Sequence, residues 1–482
     1  MNTGDIYAYF SERLDCWLAC QITGFRGEAG EASTAVLWLD WMQSRPPASE
    51  DFSALKPFAK NYFSWNGELE HGYASGGMPD GFILCGNCPP LLPGDDLRAY
   101  IGWSCEDDFL TKRCWENSPQ TLRDAYRNAK DRRFMLQEKD IPALLPDFKG
   151  YGDLGKFPRL TELYFSVFSP ELSAYVKSNP FIGTLVLDGR QPPSLDFRGS
   201  ALEAVSLNPS GVKEIYLPDT ANLLALTAAP EAGLKVNAPK NGRFLHLSLR
   251  NNAKIPAGLD ALRELTISHI TGIDLAGAFD RHGEIESMFL QNNNLGRLAN
   301  LSAISVLKKL KRFRTLNLYG FSGEEFPPPE ALPALELLDM EGLPAEAAGA
   351  IKAMYKSAAK EGRVKVRLAK ERKAQWLAEN LDNPFMHWDG DDAIPKTCAK
   401  KALEIYKKTK ASLMAAPAEA EALCKTYIGE FNKLQRKHKF IDTVFREQID
   451  GALYGLLSQA KAAGAKLDVQ TLMAACDSLR EF

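Results

Sequence analysis

The chain has 482 residues, of which 45% are hydrophobic and 25% charged. These ordinary globular values exclude extensive disorder, and the length calls for two or three structural units. The formal net charge is −3, with none of the dense clusters of Lys and Arg among aromatics that mark a nucleic-acid reader, and no uncharged apolar window approaches the roughly eighteen residues of a transmembrane helix.

The charge is uneven. Residues 1–150 carry 22 acidic and 15 basic side chains, or −7, whereas residues 352–482 carry 17 and 24, or +7. The opening "MNTGDIYAYFSERLDCW" has no basic region and no long apolar run, so no signal peptide is indicated and a soluble, cytoplasmic protein is expected. "ASTAVLWLDWMQ" (32–43) predicts a buried helix with Leu37, Trp38 and Trp41 inward. "LRAYIGWSC" (97–105) and "FLTKRCWEN" (109–117) read as two strands of a hairpin. "SPQTLRDAYRNAKDRRFM" (118–135) has Ser and Pro where a helix starts. Residues 1–150 are therefore expected to form an α+β domain.

Six of the nine cysteines precede residue 115. Irregular spacing without a signal peptide points to free thiols. Cys85 and Cys88 have the spacing of half a zinc knuckle, but Cys105 and Cys114 lack knuckle spacing and His71 lies upstream. Reduced thiols near a hairpin are the expected outcome, with no metal and no cofactor assigned.

The middle of the chain repeats the pattern apolar-x-x-apolar-x-apolar. It appears as Leu160/Leu163/Phe165, Ile182/Leu185/Leu187, Leu202/Val205/Leu207, Val212/Ile215/Leu217 and Leu223/Leu226/Ala228. It continues as Phe244/Leu247/Leu249, Leu262/Leu265/Ile267, Ile285/Met288/Leu290, Phe313/Leu316/Leu318 and Leu335/Leu338/Met340. Positions 4 and 6 fit a short strand facing one core, which stacked units share. Asn252 and Asn293 fall three residues after Leu249 and Leu290, where an amide side chain bonds buried backbone groups through its donor and its acceptor.

"LSLRNNAKI" (247–255) and "MFLQNNNLGRL" (288–298) carry a resemblance to leucine-rich-repeat domains over about 157–368. The starts are unevenly spaced, so the resemblance implies an irregular horseshoe, with a convex-side helix in long units such as "NLSAISVLKKLKR" (300–312). "AEAAGAIKAMYKSAAKE" (345–361) and "GRVKVRLAK" look like its last helix and closing strand.

After a break at 380–395 the pattern turns helical. Pro395 opens a helix over 396–414, and a second covers 417–436. Asp442 and Asp468 stand where two further helices need caps. Short connections between amphipathic helices predict an antiparallel bundle over 380–482. The run "KKALEIYKKTK" (400–410) reads as the solvated face of one of them. "NPFMHWDGDDAIPKTCAKKALEIYKKT" and "RKHKFIDTVFREQI" resemble a C-terminal helical module of some bacterial leucine-rich-repeat proteins. The fold class expected is an α/β leucine-rich-repeat solenoid (151–368) flanked by an α+β N-terminal domain and an all-α C-terminal bundle.

There is no G-x-x-x-x-G-K-[ST], H-E-x-x-H or G-x-S-x-G motif. Cys105-Glu106-Asp107 has the Cys-x-Asp form found in bacterial effector ubiquitin ligases that carry leucine-rich repeats, but it precedes the repeats. An effector enzyme that targets substrates through the repeats is the alternative reading. The first reading is a non-enzymatic bacterial scaffold that binds another protein, with no nucleic acid or membrane as partner, in toxin immunity or regulation. Its binding residues would be Tyr216, His246, Arg250, Phe289, Gln291, Asn317, Tyr319, Asp339 and Glu341, at outward positions of the strands.

Overall fold

The computed structural model describes residues 1–27, 33–75 and 77–482. The chain divides into two compact units, one of residues 1–247 with 256–262 and one of residues 248–255 with 263–482.

Unit one begins with β1 (Asp5–Ser11), β2 (Cys16–Arg26), β3 (Ser33–Gln43), β4 (Ala59–Lys60), β5 (Glu68–Leu69), β6 (His71–Ala74), β7 (Ile83–Asn87) and β8 (Tyr100–Ile101). Six of these form a sheet in the order β7-β1-β2-β3-β6-β8. In β3, Val36, Leu37, Trp38 and Leu39 are all fully buried. Leu37 and Leu39 face an apolar cluster with Ile6, Ala8 and Ala19, while Val36 and Trp38 face another with Leu18, Phe58 and Phe109. A strand covered on both faces loses the polar alternation that identifies strands. The helix expected at 32–43 is therefore a strand; Ala32 lies outside the described residues.

Two helices follow, α1 (Glu106–Asn117) and α2 (Gln120–Asn128). The expected second hairpin strand, 109–117, lies within α1, which buries Phe109, Leu110 and Trp115. The helix expected over 118–135 is shorter, because Ser118 turns its hydroxyl back to the Cys114 carbonyl (2.7 Å) and leaves α2 without a side-chain cap.

The repeats then supply β9 (Met135–Gln137), α3 (Ile141–Leu144), β10 (Glu162–Phe165), α4 (Pro170–Ser178), β11 (Thr184–Leu187), β12 (Ser194–Asp196), β13 (Ala204–Leu207), β14 (Glu214–Tyr216), β15 (Leu223–Leu226), β16 (Lys235–Asn237) and β17 (His246–Arg250). Leu163, Leu185, Val205 and Leu224 pair in one row, and Phe165, Leu187, Leu207 and Leu226 in the next. All eight are buried, each contributing about 1.5–3 kcal/mol relative to exposure. The unit read as Leu223/Leu226/Ala228 is thus Ala221/Leu224/Leu226. Strands β12, β14 and β16 form a separate parallel sheet, which explains the short spacings at 202–212–223: strands of two sheets alternate along the chain.

Unit two contains β18 (Glu264–Ser268), β19 (Gly272–Asp274), β20 (Ser287–Ala299), β21 (Arg312–Tyr319), β22 (Leu337–Glu341), α5 (Ala345–Lys360), β23 (Lys365–Ala369) and α6 (Ala374–Asn380). Its strands run β23-β22-β21-β20-β18, with β19 also on β20. The pairs Met288↔Phe313 and Leu290↔Thr315 place the inward residues of β21 at Phe313 and Thr315. The unit read as Phe313/Leu316/Leu318 is therefore Leu310/Phe313/Thr315.

Apart from β12, β14 and β16, the strands from β9 to β23 belong to one large parallel sheet, of twelve strands among the described residues, that does not close. This corrects the expected leucine-rich-repeat solenoid: the chain has mixed α/β content, with a large open parallel sheet and a C-terminal helical region. Beyond the three stacked strands β12, β14 and β16 the returning segments differ from unit to unit, so no regular second layer of the kind a solenoid needs runs along the whole array. They are strands in some units, α4 and α5 in others, and only a 3-10 turn at Leu301–Val306 where a helix was expected over 300–312.

The C-terminal helices are α7 (Lys396–Ala415), α8 (Ala420–His438), α9 (Thr443–Ala462) and α10 (Val469–Asp477). They bury Phe385, Trp388, Tyr427, Phe431, Ile449 and Leu453 together. Asp442 accepts from the Phe445 amide (3.0 Å) and Asp468 from that of Thr471 (3.2 Å), the caps their positions implied. Among the described residues, no helix is long and apolar enough to cross a membrane.

Half-buried Glu203, ahead of β13, titrates abnormally: burial raises its pKa, Asp107 adds to the effect, and Arg13 opposes it. A carboxyl whose folded pKa lies above its unfolded value destabilises the fold while ionised, so its contribution improves as pH falls through the raised value and is constant below the ordinary one. Glu203→Gln is expected to raise Tm at pH 7, with the gain shrinking towards pH 4 in calorimetric melts.

Candidate functional site

In unit two, parallel strands in register place equivalent outward side chains side by side. One row runs Thr266, Phe289, Arg314, Asp339, Arg367; the next runs Glu264, Ser287, Arg312, Leu337, Lys365. Their chain neighbours Leu265, Met288, Phe313 and Leu338 are buried, so these rows face away from that core. Opposite charges meet along them: an Arg312 Nη is 3.6 Å from Glu264, and Arg314 Nε is 3.6 Å from Asp339. The Arg314 guanidinium also lies 4.8 Å from the centre of the Phe289 ring. Exposed ion pairs of this kind each contribute only about 0–1 kcal/mol. What they fix is a pattern of charge beside a half-buried aromatic, which suits recognition.

Five of the nine sequence-predicted residues lie on these strands as half-buried side chains: Phe289 and Gln291 on β20, Tyr319 on β21, Asp339 and Glu341 on β22. Tyr319 is not a lateral neighbour of Phe289, because it pairs with Arg297 while Phe289 pairs with Arg314. His246 and Arg250 stand at the two ends of β17. Tyr216 belongs to the separate three-stranded sheet, where its ring lies under the Arg198 guanidinium at 4.3 Å and its hydroxyl donates to Glu214 (3.0 Å).

Asn317 is not an outward residue. It is 9% exposed, and its Nδ2 donates to the carbonyls of Asn292 and Asn293, both at 3.3 Å. The three-position slip in reading β21 is odd, and an odd slip exchanges the two faces of a strand. Asn317 also has φ 56°, a left-handed conformation Asn tolerates better than most residues. It shifts the strand's alternation, so that Leu318 is buried next. Gly342 packs so closely here that a Cβ would sit 2.3 Å from Asn317 Oδ1. Of the two asparagines singled out in the sequence, Asn252 bonds its own loop through the Arg250 carbonyl (2.9 Å) and the Lys254 amide (3.1 Å). Asn293 is exposed, and the buried residue is Asn292.

Within unit two the face leads into a cleft of about 540 Å³ lined by Glu341, Lys370, Arg372, His387 and Asp389, among others. Lys370 pairs with Glu341 at 2.8 Å. Arg372 stacks over Trp376 at 4.0 Å and lies 3.6 Å from Asp389, which also accepts from Trp376 Nε1 (3.1 Å). Burial lowers the Arg372 pKa, with Asp389 and Glu341 acting against it. Its Nε is buried without a hydrogen-bond partner among the described residues. Both carboxylates are held in ion pairs, so the arrangement is suited to recognising a polar surface. Arg312 and Arg314 were missed in the sequence because the three-position slip in the reading of β21 had placed them off the face.

The four thiols Cys85, Cys88, Cys105 and Cys114 divide into two groups. Cys85 and Cys88 pack on one side of the N-terminal sheet and Cys105 and Cys114 on the other, so the structure does not bring these four together. Cys105, the candidate nucleophile of the ligase-like reading, is 3% exposed. Burial and then Asp108 push its thiol pKa up, the opposite of what activates a cysteine.

No family model matches the chain, and no curated protein matches it.

Asn317→Ala is expected to destabilise unit two by about 2–3 kcal/mol, since buried carbonyls lose their donor; denaturant unfolding measures this. In native protein treated with a thiol reagent, Cys85 and Cys88 are expected to react well before Cys105, as read by peptide mass spectrometry.

Proposed function

We propose that the chain is a non-enzymatic protein-binding scaffold of the bacterial cytoplasm, which engages a partner protein through the outward face of β18 and β20–β23. The observation that carries this reading is the pair of rows of charged side chains, alternating in sign along Arg314, Asp339 and Arg367, with Phe289 set beneath Arg314. A partner that recognises the face presents opposite charges in the same order and an apolar group against Phe289. Gln291, Asp339 and Glu341 flank that contact, and the cleft at Arg372 receives a polar edge. Aromatic and Arg side chains are the usual energetic centres of such contacts, while rim charges act more on the association rate. The most concrete form of this reading is neutralisation or regulation of another bacterial protein, as in a toxin–immunity pair.

The test reverses one charge. Partners are isolated by affinity purification from the native bacterium, and the candidate is then produced and titrated against the purified chain. Arg314→Glu and Phe289→Ala, with folding confirmed by circular dichroism, are each expected to weaken a 1:1 complex at least about tenfold. The Arg314→Glu loss should be larger in low salt than in high salt. Unchanged affinity in both variants removes this face from the function.

A further inference from the structure

Unit one holds a second surface feature that the scaffold role does not use. A groove of about 910 Å³ is lined by Asn61, Trp65, Arg127, Arg132, Phe134 and Arg159, among others. Trp65 is 44% and Phe134 57% exposed, so two large aromatic rings stand open to solvent at one site. None of the groove's three arginines has an ion pair with a carboxylate among the described residues. Backbone carbonyls position two of them instead. Arg127 donates to Asn61 O (3.0 Å), and Arg159 donates to Tyr126 O (3.0 Å) and Arg127 O (3.2 Å). Each guanidinium has five N–H donors, so both keep spare donors. The groove lining contains no carboxylate.

The loop that carries Trp65 is held in place. Phe63 adopts φ 48°, an outlier for a bulky residue. It is packed against Trp115, Tyr126 and Phe181, with ring centres 5.3–5.8 Å away. A strained residue of this kind persists when its surroundings over-determine it, and such residues concentrate at functional sites. Lys60 sits 4.6 Å from the Trp65 ring centre, a further restraint on that side chain. A restrained Trp65 and the open Phe134 ring beside guanidiniums without carboxylate partners match a ligand that is both planar and anionic.

We propose that this groove binds a nucleotide, with its base against Trp65 and Phe134 and its phosphates against Arg127, Arg132 and Arg159. Guanidinium groups are the side chains best shaped for bidentate phosphate contacts. Here they replace the phosphate loop that the sequence lacks. The side-chain amides of Asn61 and Asn66 and the hydroxyl of Ser64 are polar groups of the lining available to a base edge. A free nucleotide fits better than a strand of nucleic acid, because residues 1–150 carry −7 overall and a polyanion needs an extended basic track.

Calorimetric titration of the full chain with ADP, GDP, UDP, adenosine, inorganic phosphate and a single-stranded hexanucleotide tests this. At least one diphosphate is expected to bind 1:1, about tenfold or more tighter than adenosine or phosphate alone. Trp65→Ala and Arg132→Ala are each expected to weaken it about tenfold, with unchanged circular dichroism and melting. Binding of phosphate as tightly as of any nucleotide reduces the groove to an anion site and overturns the proposal. So does a hexanucleotide binding more than tenfold tighter than every diphosphate, or no diphosphate binding at all. Arg132 is exposed and makes no ion pair among the described residues, so Arg132→Glu leaves the fold intact; undiminished affinity in that variant also overturns the proposal.

Discussion

Neighbouring parallel strands cannot be joined by a tight turn, so after every strand of the large sheet the chain has to leave and come back. The chain that returns is also what covers the inward face, and this requirement shapes both units. Leu163, Leu185, Val205 and Leu224 form one inward row in unit one, and Leu265, Met288, Phe313 and Leu338 form another in unit two. The cover over these rows is improvised, with a strand in one place, a 3-10 turn in another and a helix in a third. Regularity is thus confined to the inward positions, and the outward face is free to vary in chemistry.

On that outward face the ordering is a by-product of the register that packs the core. Phe289, Arg314, Asp339 and Arg367 are adjacent because Met288, Phe313, Leu338 and Val366 have to be. A recognition surface built this way is rigid, since moving one of its side chains means moving a buried row. Asn317 shows how closely the two are linked. Its left-handed backbone and two carbonyl contacts change which residues of β21 point inward, and the end of the face that carries Tyr319 follows from that.

The sequence revealed those parts of the fold where burial is one-sided. The strands at 163–165, 185–187, 205–207, 265–267 and 288–290 and the helices α5 and α7–α10 keep clean periodicities, and their caps at Asp442 and Asp468 are local chemistry. The reading failed where burial is two-sided, as at Trp38 in β3, or where the apolar pattern admits two registers. At 310–318, Phe313, Leu316 and Leu318 satisfy the spacing in full, while Leu310 and Phe313 begin a second register completed by Thr315, and only pairing with Met288 and Leu290 decides between them. Because three is odd, that single ambiguity both promoted Asn317 to the surface and hid Arg312 and Arg314. Tyr216 was misplaced for a different reason, as nothing local marks which of two sheets a strand will join. The N-terminal groove had no periodic signal at all, being assembled from a loop, a helix end and a residue of the first repeat.

The last strand of the large sheet, β23, has no further strand beyond it among the described residues, so one row of its backbone groups has no neighbouring strand there to pair with. An open edge of this kind invites another extended chain to add itself, which is the first step of aggregation. Lys365, Arg367 and Lys370 sit on or beside that edge and are exposed. Bringing a second copy alongside would force like charges together and strip water from them. The cations that extend the recognition rows therefore also act as gatekeepers, allowing a long parallel sheet to end in water without growing.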